Sequence, residues 1–441
     1  MLKAYRAAFL DFIADPFYTT ESESIRYFPD GLLVIKDGKV EAFGDYEALK
    51  DEYINTPITA YPGMLITPGF IDMHVHFPQI EMIASYGEQL LEWLNKYTFP
   101  TEGKFNDQNY AQQMAGFFLD ELLKNGTTTA VVLATVFPQS VDAFFEESSK
   151  RNLRMVAGKV LMDRNAPDYL KDTAKSSYEQ SKELIEKWHN NGRSLYAITP
   201  RFSVTSTPEQ LEAAGKLLAE YPDVYVHTHL SENRAEVDFV KELFPDSKNY
   251  LDTYDHAGLV GERSIFAHCI HLSEQEFERL SETKAIIAFC PTSNLFLGSG
   301  LFNINQAKSS DYPVKVGLGT DVGGGTSLSM LQTMNEAYKV TQMRQQKLSP
   351  LQAFFLATLG GAKALCLEDK IGNFDVGKEA DFIVINPRST SLMALRNPEE
   401  VLNTLEELSE RLFTLVIMGD DRAIQSTYIM GELAYEKSLI C

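Results

Sequence analysis

The chain has 441 residues, 44% of them hydrophobic and 23% charged, with a formal net charge of −21. That balance describes a globular chain with a sizeable core, and its acidity excludes a nucleic-acid backbone or an anionic membrane as the natural partner while leaving a small neutral substrate open. No apolar run reaches bilayer length, Asp11 and Asp15 interrupt the stretch that a secretory leader would need, and four widely spaced cysteines (Cys269, Cys290, Cys366 and Cys441) fit free thiols in a reducing cytoplasm.

Leu32–Gly44 reads as a β-hairpin, because Asp37-Gly38 lies between two alternating apolar runs. Eight apolar, β-branched segments then recur: Leu65–His76, Thr127–Val136, Arg154–Asp163, Leu195–Ser203, Val224–Glu232, Ser264–Ser273, Ala285–Asn294 and Val314–Gly323. Helix-like stretches lie between most of them, among them Gln108–Lys124, Pro138–Ser149, Ser177–His189, Pro208–Glu220, Glu232–Leu243 and Glu274–Thr283. Ser206-Thr207-Pro208-Glu209 and Ser273-Glu274 supply helix-start signals. The alternation predicts an α/β fold, a (β/α)8 TIM-like barrel. An open doubly wound sheet is disfavoured, because no Gly-x-Gly-x-x-Gly follows a first strand. After Asp369 the strand-like segments Ala380–Asn386, Phe413–Met418 and Ala423–Glu436 return. The two ends have few strands each, so they are expected to join in one small β-sandwich domain. The expected organisation is 1–67 for the N-terminal part of that domain, 68–368 for the barrel and 369–441 for the C-terminal part.

Polar residues gather at the ends of these segments. His74 and His76 share one strand face, His229 ends segment five, His268 lies on segment six and Asp321 ends segment eight. The C-terminal rim of a barrel collects catalytic groups from different strands. Three histidines and a carboxylate suit Zn²⁺ or Fe²⁺. Each residue alone reads as ordinary packing; together at the correct strand ends they read as a metal site. His227 pairs with His229 at i, i+2 and is expected one layer deeper, hydrogen-bonded and neutral. Asp72 is either an orienting group behind a ligand or a capped structural residue. His189, His256 and His271 read as surface or helix-end residues, and Lys159 as structural or surface. Glu232, three residues after His229, is the candidate proton carrier, and a helix N-terminal glutamate is compatible with that role. Spacing leaves His268 as either a ligand or a hydrogen-bond partner of the attacking water. The Gly323-Gly324-Gly325 run lacks Gly-Lys-Ser/Thr, so it reads as a loop that approaches the site closely and not as a phosphate cradle.

The run Pro68-Gly69-Phe70-Ile71-Asp72-Met73-His74-Val75-His76, and the order His-x-His, His, His, Asp on strands 1, 5, 6 and 8, resemble the metal-dependent amidohydrolases. Gly377-Lys378-Glu379-Ala380-Asp381-Phe382 is similar to a segment of their flanking β domain, so the resemblance spans nearly the whole chain. Within that superfamily, five motifs resemble the guanine deaminase family: His76–Gln79, Leu90–Pro100, Thr199–Ser203, His229–Asn233 and Gly319–Gly324. The resemblance implies one catalytic Zn²⁺ held by His74, His76, His229 and Asp321, with His268 close to the bound water. One metal is favoured over two, because strand four offers Arg201 and no Lys for a bridge. It implies a cytoplasmic homodimer that converts guanine to xanthine and ammonia. In that reaction hydroxide attacks C2, Glu232 moves a proton from the water to ring N3, Asp321 accepts or relays a further proton, and His268 stabilises the oxygen.

Recognition has to separate guanine from adenine, and guanine's O6 suits a guanidinium where adenine places a donor. Arg201 is the candidate for O6, with Phe202 beside it, and a strand-end salt bridge is its plain alternative. Gln79 has a donor and an acceptor for the ring edge. Trp93 and Phe99 lie on the long insertion after strand one and either cover the base or pack the insertion down, with packing favoured for Phe99. His76 faces both metal and substrate. A rival deaminase specificity, for cytosine or an adenosine derivative, is opposed by Arg201, Gln79 and the Leu90–Pro100 motif. A catalytically inactive scaffold relative is opposed by the complete ligand set with Glu232.

Overall fold

Gly69 is where one apolar run becomes two strands. In the computed structural model, which describes residues 2–399 and 402–438, Ile58–Pro68 belongs to a sheet of terminal strands and Phe70–His76 begins a barrel. The expected strand Leu65–His76 is therefore divided. A Cβ on Gly69 would meet Thr128 Oγ1 at 2.1 Å, so the chain changes sheets at a point where only glycine fits.

The barrel strands are Phe70–His76, Thr127–Leu133, Arg154–Gly158, Leu195–Pro200, Tyr225–Leu230, Ser264–His268, Ile286–Phe289 and Lys315–Leu318. They are parallel and neighbour one another in chain order, with the short strand Val160–Leu161 pairing beside the fourth. Strands eight and one close the ring through Asp321 N–H to His74 O and His76 N–H to Val322 O, both 2.8 Å. Most strands stop short of the apolar segments that predicted them. The last residues of those segments leave the ladder and form the rim, so Asp321 and Glu232 lie past their strands on loops that a fixed scaffold positions.

Helices Gln108–Lys124, Pro138–Lys150, Ala174–Trp188, Pro208–Glu220, Arg234–Leu243 and Glu274–Glu282 pack outside the ring, close to their expected bounds. Thr207 and Ser273 cap two of them, accepting from the N–H of Gln210 and Glu276. Glu232 is not a first-turn residue: Asn233 is the cap, and Glu236 reaches back to the N–H of Glu232 and of Asn233, at 2.8 and 3.0 Å.

The terminal segments form one seven-stranded sheet, in the order Glu432–Glu436, Ile424–Ile429, Phe382–Ile385, Ile58–Pro68, Leu2–Phe12, Ile25–Lys36 and Lys39–Asp45. The two ends join where Phe382–Ile385 runs antiparallel to Leu65–Pro68. The hairpin turns at Asp37 and Gly38, whose φ values of 52° and 81° suit an Asp-Gly pair. Phe413–Met418 is a correction: it is helical, the end of Leu405–Met418. A capping box at Thr404 and Glu407 starts that helix, and buried Leu408, Leu412 and Leu415 follow a helical period that the apolar tail alone conceals. No helix among the described residues is long and apolar enough to cross a membrane. Cys269 and Cys290 are buried free thiols and Cys366 is partly exposed, while Cys441 lies outside the described residues.

Candidate active site

His74 and His76 leave strand one on the same side, as their i, i+2 spacing requires, and meet Asp321 at the rim. Asp321 Oδ1 is 3.1 Å from His74 Nε2 and 3.2 Å from His76 Nε2. His229, from strand five, brings its Nε2 to 3.3 Å from His76 Nε2. His268, at the end of strand six, has its Nε2 3.7 Å from Asp321 Oδ2 and 3.5 Å from Glu232 Oε2. The five residues named from the sequence thus converge. The group whose ligand atoms all lie within 4.8 Å of one another is His74, His229, His268 and Asp321, with His268 where the expected ligand set has His76.

A layer behind them fixes each ring. His74 Nδ1 shares a hydrogen bond with His227 Nε2 at 2.7 Å, which is the deeper position expected for His227. His229 Nδ1–H donates to the Arg201 carbonyl at 2.7 Å, and His268 Nδ1–H donates to Asn294 Oδ1 at 2.8 Å. Both bonds place the proton on Nδ1 and leave the Nε2 lone pair facing the centre. Asp72 takes the orienting role: its Oδ1 accepts from the N–H of His74 and of Thr320, at 3.1 and 3.0 Å, and its Oδ2 accepts from Thr320 Oγ1 at 2.5 Å. It ties strand one to strand eight. His268 and Asp321 have φ values of 72° and 50°, and Ser231, beside Glu232, has 51°. Left-handed backbone in residues other than glycine is strained and gathers at functional sites.

The electrostatics follow from burial. Burial lowers the His74 imidazole to about 4, against the pull of Asp321, and holds His76 down as well. His227 and His229 go well below the usual histidine range, again through burial, with the neighbouring imidazoles adding to it. Burial also lowers His268, but the Glu232 and Asp321 carboxylates reverse that and leave it raised. Asp321 falls well below the carboxylate range, because the surrounding histidines outweigh the cost of burying it. Burial pushes Glu232 up to about 7, partly opposed by His268. The lowered imidazoles of His74, His76 and His229 beside an ionised Asp321 form a donor set for a divalent cation. The Nε2 atoms of His74 and His268 are buried without a hydrogen-bond partner among the described residues. Nitrogens in that state fit a metal better than a packed core.

Beside this centre lies a cavity lined in part by His76, Gln79, Trp93, Arg201, Phe202, His229, Glu232 and Asp321. Each expected substrate residue is on its wall. Arg201 is also in a salt bridge, because its Nη1 meets Glu102 Oε2 at 2.8 Å. Phe99 packs against the Arg201 guanidinium at 5.6 Å, the packing role expected for it. Trp93, on the helical insertion, is buried and lines the cavity with Leu90 and Leu94. Gly324 lines it too, and Gly323 N–H donates to Gln79 Oε1 at 3.2 Å, so the glycine run does approach the site. His268 is not among the residues lining the cavity; its Nε2 lies near the carboxylates of Glu232 and Asp321, which do line it. Lys159 is structural, fully buried in an ion pair with Asp172. His189 and His256 lie at helix ends, and half-buried His271 bonds the Ser299 carbonyl at 2.9 Å.

Glu102, Asn294 and Ser299 were not legible as site residues. Ser299 Oγ donates to Glu232 Oε1 at 3.2 Å. Asn294 closes the seventh apolar segment, a weak signal, whereas Glu102 lies two residues beyond a recognisable motif and Ser299 in a loop, with no spacing to mark them.

The amidohydrolase family model matches residues 65–434. Guanine deaminase from Escherichia coli (strain K12) is 57% identical over 439 residues, 99% of this chain and 98% of its own length. The solved E. coli guanine deaminase superposes with a TM-score of 0.95, covering 99% of this chain and 100% of that one. A crystal structure of guanine deaminase from C. acetobutylicum with guanine bound in its active site is 31% identical, with a TM-score of 0.88 over 99% and 100% of the two chains. With the family model spanning most of its length and such relatives all of it, the chain belongs to the amidohydrolase family, within the group formed by the guanine deaminases.

Proposed function

We propose that this chain catalyses the zinc-dependent hydrolytic deamination of guanine to xanthine and ammonia. One observation carries the reading: Arg201 and Gln79 line the same cavity as His76, His229, Glu232 and Asp321. The relatives named above act as guanine deaminases, and one of them binds guanine in its active site.

His74, His76, His229 and Asp321 would hold one Zn²⁺, with His268 beside them. Bound there, zinc supplies Lewis acidity and brings the pKa of a water to about 7. Arg201 donates to O6 of the base and Gln79 meets the ring edge, which turns C2 toward Glu232 and Asp321. Phe202 and Trp93 wall the base in and exclude water. Glu232, raised to about 7 by burial, holds or gives up a proton near neutrality. It carries one from the attacking water to N3. Asp321 takes the next proton and relays it as ammonia departs, while His268 hydrogen-bonds the attacking oxygen. The family resemblance adds a homodimer and a cytoplasmic location to this reading; sedimentation equilibrium checks the first.

The test pairs elemental analysis with a screen of purines and pyrimidines. The purified protein is expected to hold about one zinc per chain and to turn guanine, and not adenine or cytosine, into its hydrolysed product. Failure of the zinc-loaded protein to consume guanine would sink the proposal, and equal turnover of adenine would remove the role given to Arg201.

A further inference from the structure

Glu102 takes no part in the chemistry above, yet it is 0% exposed and touches both residues that would read the base. Its Oε1 accepts from Gln79 Nε2 and from Arg201 Nη1, both at 2.9 Å, and its Oε2 accepts from the same Nη1 at 2.8 Å. It ends the short helix Phe99–Glu102, so the insertion after strand one delivers it to Arg201 and Gln79, which line the cavity. Two consequences follow. A lone buried guanidinium would favour an anion, whereas one paired with a carboxylate leaves the cavity suited to a neutral ligand. The pairing also fixes orientation. Nη1 is turned to Glu102, and no hydrogen bond among the described residues engages Nε or Nη2 of Arg201. Gln79 is held from both ends, by Glu102 on Nε2 and by Gly323 N–H on Oε1, so its amide has one orientation.

We propose that Glu102 is a positioning residue that sets base specificity: it neutralises Arg201 and aligns it with Gln79, so that the cavity takes a neutral base with a ring carbonyl at position 6. The proposal rests on the reading of the cavity as a guanine site.

The test uses the zinc-loaded full chain and its Glu102→Gln variant. Hypoxanthine, which carries the 6-carbonyl, and unsubstituted purine, which lacks it, serve as competitive inhibitors of guanine turnover. In Glu102→Gln the guanine KM and the hypoxanthine Ki are expected to rise about 10–100-fold, as for loss of a charged hydrogen bond. The purine Ki should hold, and kcat should change much less than KM. A parallel loss for both inhibitors, or no change in either, would overturn the proposal. Should the wild type fail to turn over guanine, the functional reading falls; calorimetric binding of hypoxanthine against purine then decides the role of Glu102 by the same ratio. Should Glu102→Gln not fold, Glu102→Asp keeps the charge and shortens the reach. A partial loss of hypoxanthine preference in that variant supports the proposal, and an unchanged preference overturns it.

Discussion

Among the described residues, Glu232 has no strong partner: its Oε1 receives the Ser299 hydroxyl at 3.2 Å, and its Oε2 stands 3.5 Å from His268 Nε2. A carboxyl so loosely held in a buried site is free to exchange a proton, unlike Asp72, whose two oxygens are committed to His74 and Thr320. Glu232→Gln keeps the shape and removes the proton carrier, so kcat is expected to fall about 10²–10⁴-fold with guanine still bound by calorimetry; an undiminished kcat would refute the role. His227 acts through another residue. Its Nε2 is the partner of His74 Nδ1, so His227→Phe should leave the fold intact and weaken metal affinity by about 10–100-fold, read by chelator competition. Unchanged affinity would mean that Asp72 and the strand suffice to orient His74. At this scale the His-x-His pair, the later histidines, Asp321 and Glu232 were legible, because i, i+2 parity and strand-end position are properties of the sequence. Glu102 was not, because it reaches Arg201 through tertiary packing that no periodicity records.

Among the elements, the junction between barrel and terminal sheet depends on charge. Glu379 bonds Arg154, at the start of barrel strand three, through Nε at 2.8 Å and also through Nη2, and Arg193, before strand four, at 2.7 Å; Arg193 also bonds Asp381. Burial raises the Glu379 carboxyl, but the two guanidiniums more than reverse that and leave it lowered. A carboxylate with a folded pKa below its unfolded value of about 4.3 stabilises the fold above that value. The contribution is lost as pH falls through the folded pKa. Glu379→Gln should therefore cost up to about 3–5 kcal/mol near pH 7, with the gap from wild type closing below about pH 4. Urea melts at both pH values check this, and an equal gap at the two would sink it. The strand and helix alternation that predicts the barrel is legible because each unit buries its own apolar face. The division at Gly69 and the helical state of Phe413–Met418 are not, since both depend on a partner surface: Thr128 in one case, the packing of Leu408, Leu412 and Leu415 in the other.

At the scale of the molecule, the candidate ligands include His74 and His76 of the first strand and Asp321 of the loop after the last, besides His229 of the fifth strand, so a bound cation would bridge the two ends of the barrel where it closes. The hydrogen bonds that aim the ligands do not need the cation: His74 to His227, His229 to the Arg201 carbonyl, His268 to Asn294, and Asp72 to Thr320. The ring is also closed by backbone bonds between Asp321 and His74 and between Val322 and His76. Chelation should thus leave a folded chain with an unchanged far-ultraviolet circular dichroism spectrum at 25 °C. Its melting temperature should nonetheless drop, because a ligand present at 1,000 times its Kd contributes about 4 kcal/mol to the folded state alone. For a chain of 441 residues that amounts to a shift of a few degrees, reversed by adding zinc. Unfolding on chelation would show that the metal builds the site, against the preorganisation argued from the aiming bonds. An unmoved melting temperature, with zinc removal verified by elemental analysis, would show that the cation does not bridge the closure.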